Sequence, residues 1–417
     1  VTYIFCGAAQ LVGVTAPGEQ RKRGRDMRRL DIVPDGSVVV RDGAIHWLGP
    51  TAQLPLQPPD AEVIDVSGKI ILPGLIDSHT HLVFAGSRAA EFEQRIGGAT
   101  YQEITAAGGG IRATVREVRR CGREILQEQA RRRLRRLLGF GVTTVEVKSG
   151  YGLTLADEIK CLEAIAELNA EGPQELVATF LGAHALPQEF EAERQAYVRL
   201  VRDEMLPEVA RCRLAEFCDV FCEQGVFSPD ESEHILRRAR ELGLGLRLHA
   251  DELTPLGGAE LAARLGAASA DHLLCVSRAG IEALAKSDTV ATLLPGTAFF
   301  LGLDYAPGRR LIDGGATVAL ATDCNPGTCM TENLPLTGTM ACTRMGLTPA
   351  EVVNAMTLNA AAALGRGDRL GSLAAGKQAD LVICATPDYR DLFYHFGVSH
   401  VWRVFKRGRL VYEAPGG

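Results

Sequence analysis

The 417-residue chain has no Cys-x-x-Cys pair among its eleven scattered cysteines. That absence argues against a structural zinc cluster or a disulfide framework and favours a reducing compartment, the cytoplasm. No run of about 18 apolar residues occurs, so no spanning helix is expected. The opening stretch VTYIFCGAAQLVG lacks a basic start followed by an apolar core and a cleavage site, so no signal peptide is expected. Neither sign of charge dominates. A net charge of -6 gives no reason to expect nucleic acid or an anionic membrane as partner. No internal repeat stands out, and no Gly-x-Gly-x-x-Gly follows an early strand. What remains is an ordinary globular composition, 46% hydrophobic and 23% charged, long enough for one large domain with a small one. Two basic runs, RKRGRDMRR (21–29) and RRRLRRLL (131–138), read as a solvated loop and the exposed face of a helix.

The two ends of the chain share a β-rich texture. SVVVRDGAIHWLG (37–49) places two apolar runs around Asp42-Gly43, a hairpin signal. GSLAAGKQADLVICA (371–385) and WRVFKRGRLVYE (402–413) have the same character, the second with a Lys-Arg-Gly turn. A small composite β-sandwich domain from 1–70 and 368–417 is expected, around a barrel spanning 71–367. The middle alternates strands and helices. Candidate strands cover 69–81, 141–149, 175–184, 215–223, 244–252, 269–275, 289–296 and 316–325. Helical segments separate them, among them 156–171 and 228–243, the latter opened by Ser228-Pro229. Eight such units over about 300 residues imply a (β/α)8 barrel, with a doubly wound open sheet as the alternative. The insert 83–140 is expected to form loop and helices.

In such a barrel the active site lies at the C-terminal ends of the strands. The polar residues collect there. The first strand finishes in His79 and His81, whose His-x-His spacing points both imidazoles to one face. The third finishes in His184, the fifth in His249 and Glu252, and the sixth carries Asp271 and His272. The eighth finishes in Asp323, followed by Asn325, Gly327 and Thr328. Five of the nine histidines fall on this one face. Three imidazoles and a carboxylate with an open position suit a catalytic metal such as zinc. Iron or manganese would accept the same donors. The ion would lower the pKa of a bound water to about 7 and polarise a carbonyl. Glu252, three residues after His249, is the candidate proton shuttle to a leaving nitrogen. Asp323 would ligate the ion and orient or deprotonate the water, and His272 would stabilise the developing oxyanion.

The stretches GLIDSHTHLVFAGSR, EVKSGYGL, LGAHALP, LHADEL, SADHL and ATDCNPGT, in this order, resemble the imidazolonepropionase family of the amidohydrolase superfamily. The resemblance covers nearly the whole chain, including the segment GSLAAGKQADLVI. It implies a cytoplasmic hydrolase that opens the ring of 4-imidazolone-5-propanoate to N-formimidoyl-L-glutamate, with one zinc or iron per subunit and a homodimeric assembly. Carried over by position, His79, His81, His249 and Asp323 would hold the metal. Arg88, Tyr151, His184, Glu252 and Thr328 would contact the substrate, and Tyr151, Asn325 and Gly327 the open-chain product. The chemistry agrees, because the substrate's propionate needs a cation and Arg88 offers a guanidinium fork. Lys148 is expected on the second strand, making local polar contacts rather than bridging two metals, and Cys324 is expected to be packing. A deaminase of the same superfamily would use the same donors. A scaffold that has lost its chemistry would lack some of them, and none is missing.

Overall fold

The computed structural model describes residues 2–56, 58–99, 103–104 and 107–415. Its larger sheet has eight strands: β1 (Leu75–Asp77), β2 (Val142–Lys148), β3 (Glu175–Ala183), β4 (Phe217–Cys222), β5 (Gly245–Ala250), β6 (Ser269–His272), β7 (Val290–Leu293) and β8 (Thr317–Leu320). Each pairs in parallel with the next. These strands are buried on both faces, as a sheet wrapped by helices requires. The ring closes beyond the ends of β1 and β8, where Thr80 bridges Cys324. There the Asp323 N–H donates to the His79 carbonyl and the His81 N–H to the Cys324 carbonyl, both at 3.0 Å. Closure rules out the open doubly wound sheet. It also falls on the histidines themselves, so the seam of the barrel and its polar cluster are one feature.

Local sequence sets the helices between the strands. Thr154 caps Leu155–Glu171 by accepting from the Asp157 N–H. Ser228 and Glu231 form a reciprocal capping box on Pro229–Glu241, with Pro229 in the first turn. The insert after β1 holds helices Ala89–Ile96, Ile111–Arg120 and Arg123–Gly139. Its residues 100–102 and 105–106 lie outside the described residues.

The second sheet is mixed and takes strands from both ends of the chain. In order they are Arg409–Glu413, Val401–Lys406, Leu381–Cys384, Ile70–Pro73, Thr2–Val14, Asp31–Arg41 and Ala44–Pro50, with Glu62–Asp65 added on Thr2–Val14. Asp42 and Gly43 take positive φ at the tip of the expected hairpin, and Arg407 and Gly408 do the same at the second. Phe5 and Phe405 sit three strands apart, which in a flat sheet would separate them by about 14 Å. Their rings meet edge to face at 4.8 Å, so the sheet folds over its own apolar core.

Three expectations need correction. The strand expected over 69–81 is divided: Ile70–Pro73 pairs with Leu381–Cys384 in the terminal sheet, and only Leu75–Asp77 enters the barrel. Gly74 is the pivot, because a Cβ there would overlap the Thr143 side chain. Of 371–385, only Leu381–Cys384 is a strand. The basic runs are not simply solvated. Lys22 and Met27 are buried, and the Lys22 Nζ donates to the Arg29 carbonyl at 2.6 Å. Arg133 turns inward, donating to the Leu82 and Phe84 carbonyls and lying 3.4 Å from the Phe84 ring centroid. A long aliphatic stem and a ring-stacking guanidinium make such burial tolerable when every donor is engaged.

A charged cluster ties the barrel to the terminal sheet. Glu175, first in β3, meets Arg366 at 3.2 Å, Arg369 at 3.0 Å and Lys406 at 3.9 Å. Burial alone would push its carboxyl up, but the Arg369 hydrogen bond and the Lys406 charge outweigh it and hold the group at about 2. A depressed folded pKa gives stability that is present above the ordinary value of 4.5 and lost as pH falls towards about 2. Glu175→Gln is therefore expected to lower the urea midpoint near neutral pH, with a gap from wild type that narrows on acidification. Urea titrations at about pH 7 and about pH 3 check this; an unchanged gap would remove the ion cluster as the cause.

Candidate metal centre and its pocket

The barrel register carries the polar side chains to one point. His79 and His81 follow β1, His249 lies in β5, His272 ends β6 and Asp323 follows β8. All five are buried. The His249 Nε2 lies 3.4 Å from the His81 Nε2. The Asp323 Oδ1 lies 3.4 Å from the His79 Nε2 and 3.5 Å from the His81 Nε2. Four donors bound to one ion at about 2.1 Å would stand about 3.4 Å apart along the edges of a tetrahedron. The three measured edges match that spacing. The His79 Nε2 is buried with no hydrogen-bond partner among the described residues. Lone pairs gathered this closely need a cation, so these donors fit a metal ion.

Two of the imidazoles are backed by buried carboxylates. The His79 Nδ1 is 2.7 Å from the Asp271 Oδ2, and the His249 Nδ1 is 3.0 Å from the Asp219 Oδ2. A carboxylate accepting from Nδ1–H leaves the Nε2 lone pair for a metal. Burial, then the Lys148 charge, holds His79 well below the usual histidine range. Burial, then His184 and His249, does the same to His81. Both are therefore neutral and able to donate to an ion. Asp219 and Asp271 stand behind the imidazoles, a position that the motif reading does not single out. The signal of Asp219 in the sequence is an acidic residue inside the otherwise apolar strand FCDVFC.

Asp323 is held in the left-handed region at φ 56°. Its backbone is fixed by the bond to His79 and by the Asn325 Nδ2, which donates to its carbonyl at 2.7 Å. The Thr297 hydroxyl donates to its Oδ2 at 2.6 Å, which leaves Oδ1 facing the histidines. Burial pushes its carboxyl up to about 6. Glu252 stands beside the cluster, its Oε2 3.6 Å from the His272 Nε2. Burial raises its carboxyl well above the ordinary range, and the charges of Asp323 and Glu223 add to this. Glu223 also fixes the loop, accepting from the Leu253 and Thr254 N–H groups. A buried, raised carboxyl next to a metal cluster is suited to carrying a proton at neutral pH.

Arg88 stands just before helix Ala89–Ile96. Its Nε donates to the Glu91 Oε2 at 2.8 Å, and the same oxygen accepts from the Gly110 N–H at 3.1 Å. Across from it lies Gly327, where a Cβ would overlap the Arg88 guanidinium. Asn325 is occupied within its own turn. Its Oδ1 accepts from the Gly327 and Thr328 N–H groups and its Nδ2 contacts the Thr328 hydroxyl at 2.7 Å. The His184 ring stacks on His81 at 4.9 Å, and Tyr151 lies 5.9 Å from His81. The His184 Nδ1 faces the Gly150 carbonyl at 3.0 Å, and burial, then His249, pushes its pKa down to about 3. Burial raises the Tyr151 hydroxyl, so it stays protonated. Lys148 lies on β2, 2.7 Å from Glu146 and 2.9 Å from Asp219. Cys324 is a buried thiol pushed up by burial, and its carbonyl serves the barrel seam.

Comparison with known proteins agrees with this geometry. Residues 70–411 match the model of the amidohydrolase family. The imidazolonepropionase of Geobacillus kaustophilus (strain HTA426) is 51% identical over 408 residues, 97% of this chain and 96% of that one. Atrazine chlorohydrolase from Arthrobacter aurescens TC1, solved with zinc, superposes with a TM-score of 0.70 at 18% identity, over 99% of this chain and 95% of the other. Guanine deaminase of E. coli superposes with a TM-score of 0.69 at 18% identity, over 99% of both chains. At such identity the superpositions speak for the fold. The sequence relatives speak for descent, and through them the chain belongs to the amidohydrolase family, in its imidazolonepropionase branch.

Proposed function

We propose that this protein hydrolyses the ring amide C–N bond of 4-imidazolone-5-propanoate and releases N-formimidoyl-L-glutamate, a step of histidine degradation. One observation carries the reading from the family to this substrate. Arg88 is seated between Glu91 and Gly327, in a chain that shares half its residues with an imidazolonepropionase. A fixed guanidinium fork suits the propionate carboxylate.

His79, His81, His249 and Asp323 would hold one metal ion per subunit, zinc or iron. When bound, it would lower the pKa of a water molecule and polarise the ring carbonyl. Oxygen from water bonds to the carbonyl carbon, and the ring C–N bond breaks. Asp323, with one oxygen fixed by Thr297, orients the attacking water. Glu252 takes the water proton and delivers it to the departing ring nitrogen. His272, beside Glu252, donates to the oxygen on which charge develops. Tyr151 and His184 line the ring, and the turn built by Asn325, with Gly327 and Thr328, closes the carboxylate end.

The same reading keeps a terminal β domain from both chain ends around a barrel, with the expected 70/71 boundary moved to Gly74, since Ile70–Pro73 pairs in the terminal sheet. It also holds that the enzyme is a cytoplasmic homodimer without nucleic-acid or membrane partners. Among the described residues no helix is long and apolar enough to cross a membrane.

The test offers the protein freshly prepared imidazolonepropionate, guanine and adenosine in parallel, with a no-enzyme control because the first compound is unstable. Formation of formimidoyl-glutamate without ammonia release is expected. Ammonia release from a purine with no turnover of the imidazolone would make the protein a deaminase.

A further inference from the structure

Directly behind the imidazoles lies a layer of five ionisable side chains, all fully buried. They are Glu146 and Lys148 of β2, Asp219 of β4, Arg247 of β5 and Asp271 of β6. Burying so many charges in a barrel interior is costly, and apolar side chains of similar volume would serve packing at least as well. The contacts show what the layer does.

Two relays run through it side by side. The Lys148 Nζ is 2.9 Å from the Asp219 Oδ2, and that same oxygen is 3.0 Å from the His249 Nδ1. The Arg247 Nη2 is 3.1 Å from the Asp271 Oδ2, and that same oxygen is 2.7 Å from the His79 Nδ1. Glu146 joins the relays. It lies 2.7 Å from the Lys148 Nζ and 3.8 Å from the Arg247 Nε, and it accepts from the Thr80 N–H between the two β1 histidines. Arg247 also donates to the Ser78 carbonyl at 2.7 Å, next to His79.

We propose that Lys148 and Arg247 are positioning residues for the metal centre. Each holds one buried carboxylate against the Nδ1–H of one imidazole. That fixes the tautomer and ring angle in which both Nε2 lone pairs meet at one point. Within the layer three carboxylates face two cations. Without the two cations the carboxylates would stand close together uncompensated, and they would shift away from the imidazoles. The relays are linked, since the Lys148 Nζ also lies 3.9 Å from the Asp271 Oδ2, but the lysine's shorter aspartate contact is to Asp219 and the arginine's is to Asp271. The inference rests on His79, His81, His249 and Asp323 being a metal site.

Zinc affinity of the metal-free protein, measured by competition with a chromophoric chelator, tests this without relying on turnover. Wild type, Lys148→Met, Arg247→Met, Asp219→Asn and the Lys148→Met/Asp219→Asn double variant are compared, with near-ultraviolet circular dichroism as the fold control. Each single variant is expected to bind zinc about 10–100-fold more weakly. The double variant should be no weaker than the weaker single, because the lysine acts through Asp219. Imidazole nitrogen spectra of the metal-free protein should show the Nδ1–H tautomer of His249 in wild type and lose it in Lys148→Met and Asp219→Asn. A folded Lys148→Met with zinc affinity within about twofold of wild type, or fully additive losses, would overturn the relay. Should the lysine variant not fold, Asp219→Asn decides alone, and unchanged affinity there overturns the proposal. Wild type that takes up neither zinc nor iron would instead overturn the metal site beneath it.

Discussion

Glu252→Gln is expected to keep its metal and lose turnover by about 10²–10⁴-fold. The amide matches the carboxyl in size, so packing and the loop bonds to Glu223 should survive. What disappears is a group able to take a proton and give it back. The pH dependence gives a second readout. Burial, with Asp323 and Glu223 nearby, raises the Glu252 carboxyl well above the ordinary range. A carboxylate base loses activity as pH falls through its pKa, so a raised pKa moves the acid limb of kcat/KM upward. Wild type should show that limb well above the usual glutamate value, and the residual activity of the variant should not. Steady-state kinetics with metal analysis checks both. Turnover near wild type with metal retained would remove Glu252 as the shuttle.

Arg88→Ala is expected to raise KM for imidazolonepropionate by about 10²-fold, with a smaller change in kcat. Truncating a charged hydrogen-bonding partner costs roughly 2–5 kcal/mol, and the carboxylate lies remote from the bond that breaks. Arg88→Lys should recover only part of the loss, because an ammonium cannot offer two parallel donors to a carboxylate. A substrate analogue lacking the propionate should be indifferent to either change. Unchanged KM for the natural substrate in Arg88→Ala would place the carboxylate elsewhere.

The cluster of His79, His81, His249 and Asp323 is legible in the sequence because its members fall at or just beyond the ends of strand-like runs. The alternation of those runs with helical segments announced the barrel. Other features depend on partners that a linear pattern does not contain. KIILPGLID reads as one strand, since nothing in an apolar run says which sheet it joins. Strand pairing places the crossing at Gly74, where any side chain would overlap Thr143. Asp219 and Asp271 were visible as residues but not as supports, because each meets its histidine across 30 or 192 positions of sequence. Asn325 sits in a legible motif, yet its side chain is occupied in forming the turn. Arg133 looked like one more surface arginine until Phe84 and two carbonyls were found beneath it.

Metal dependence of ring opening tests the central claim most directly. The protein is stripped with a chelator, dialysed, and assayed by loss of imidazolonepropionate absorbance before and after stoichiometric return of zinc or iron. The expected result is no enzymatic loss above the no-enzyme control in the stripped protein. Recovery of formimidoyl-glutamate formation should follow at about one ion per subunit. Full turnover by stripped, folded protein would contradict the metal site and the mechanism built on it.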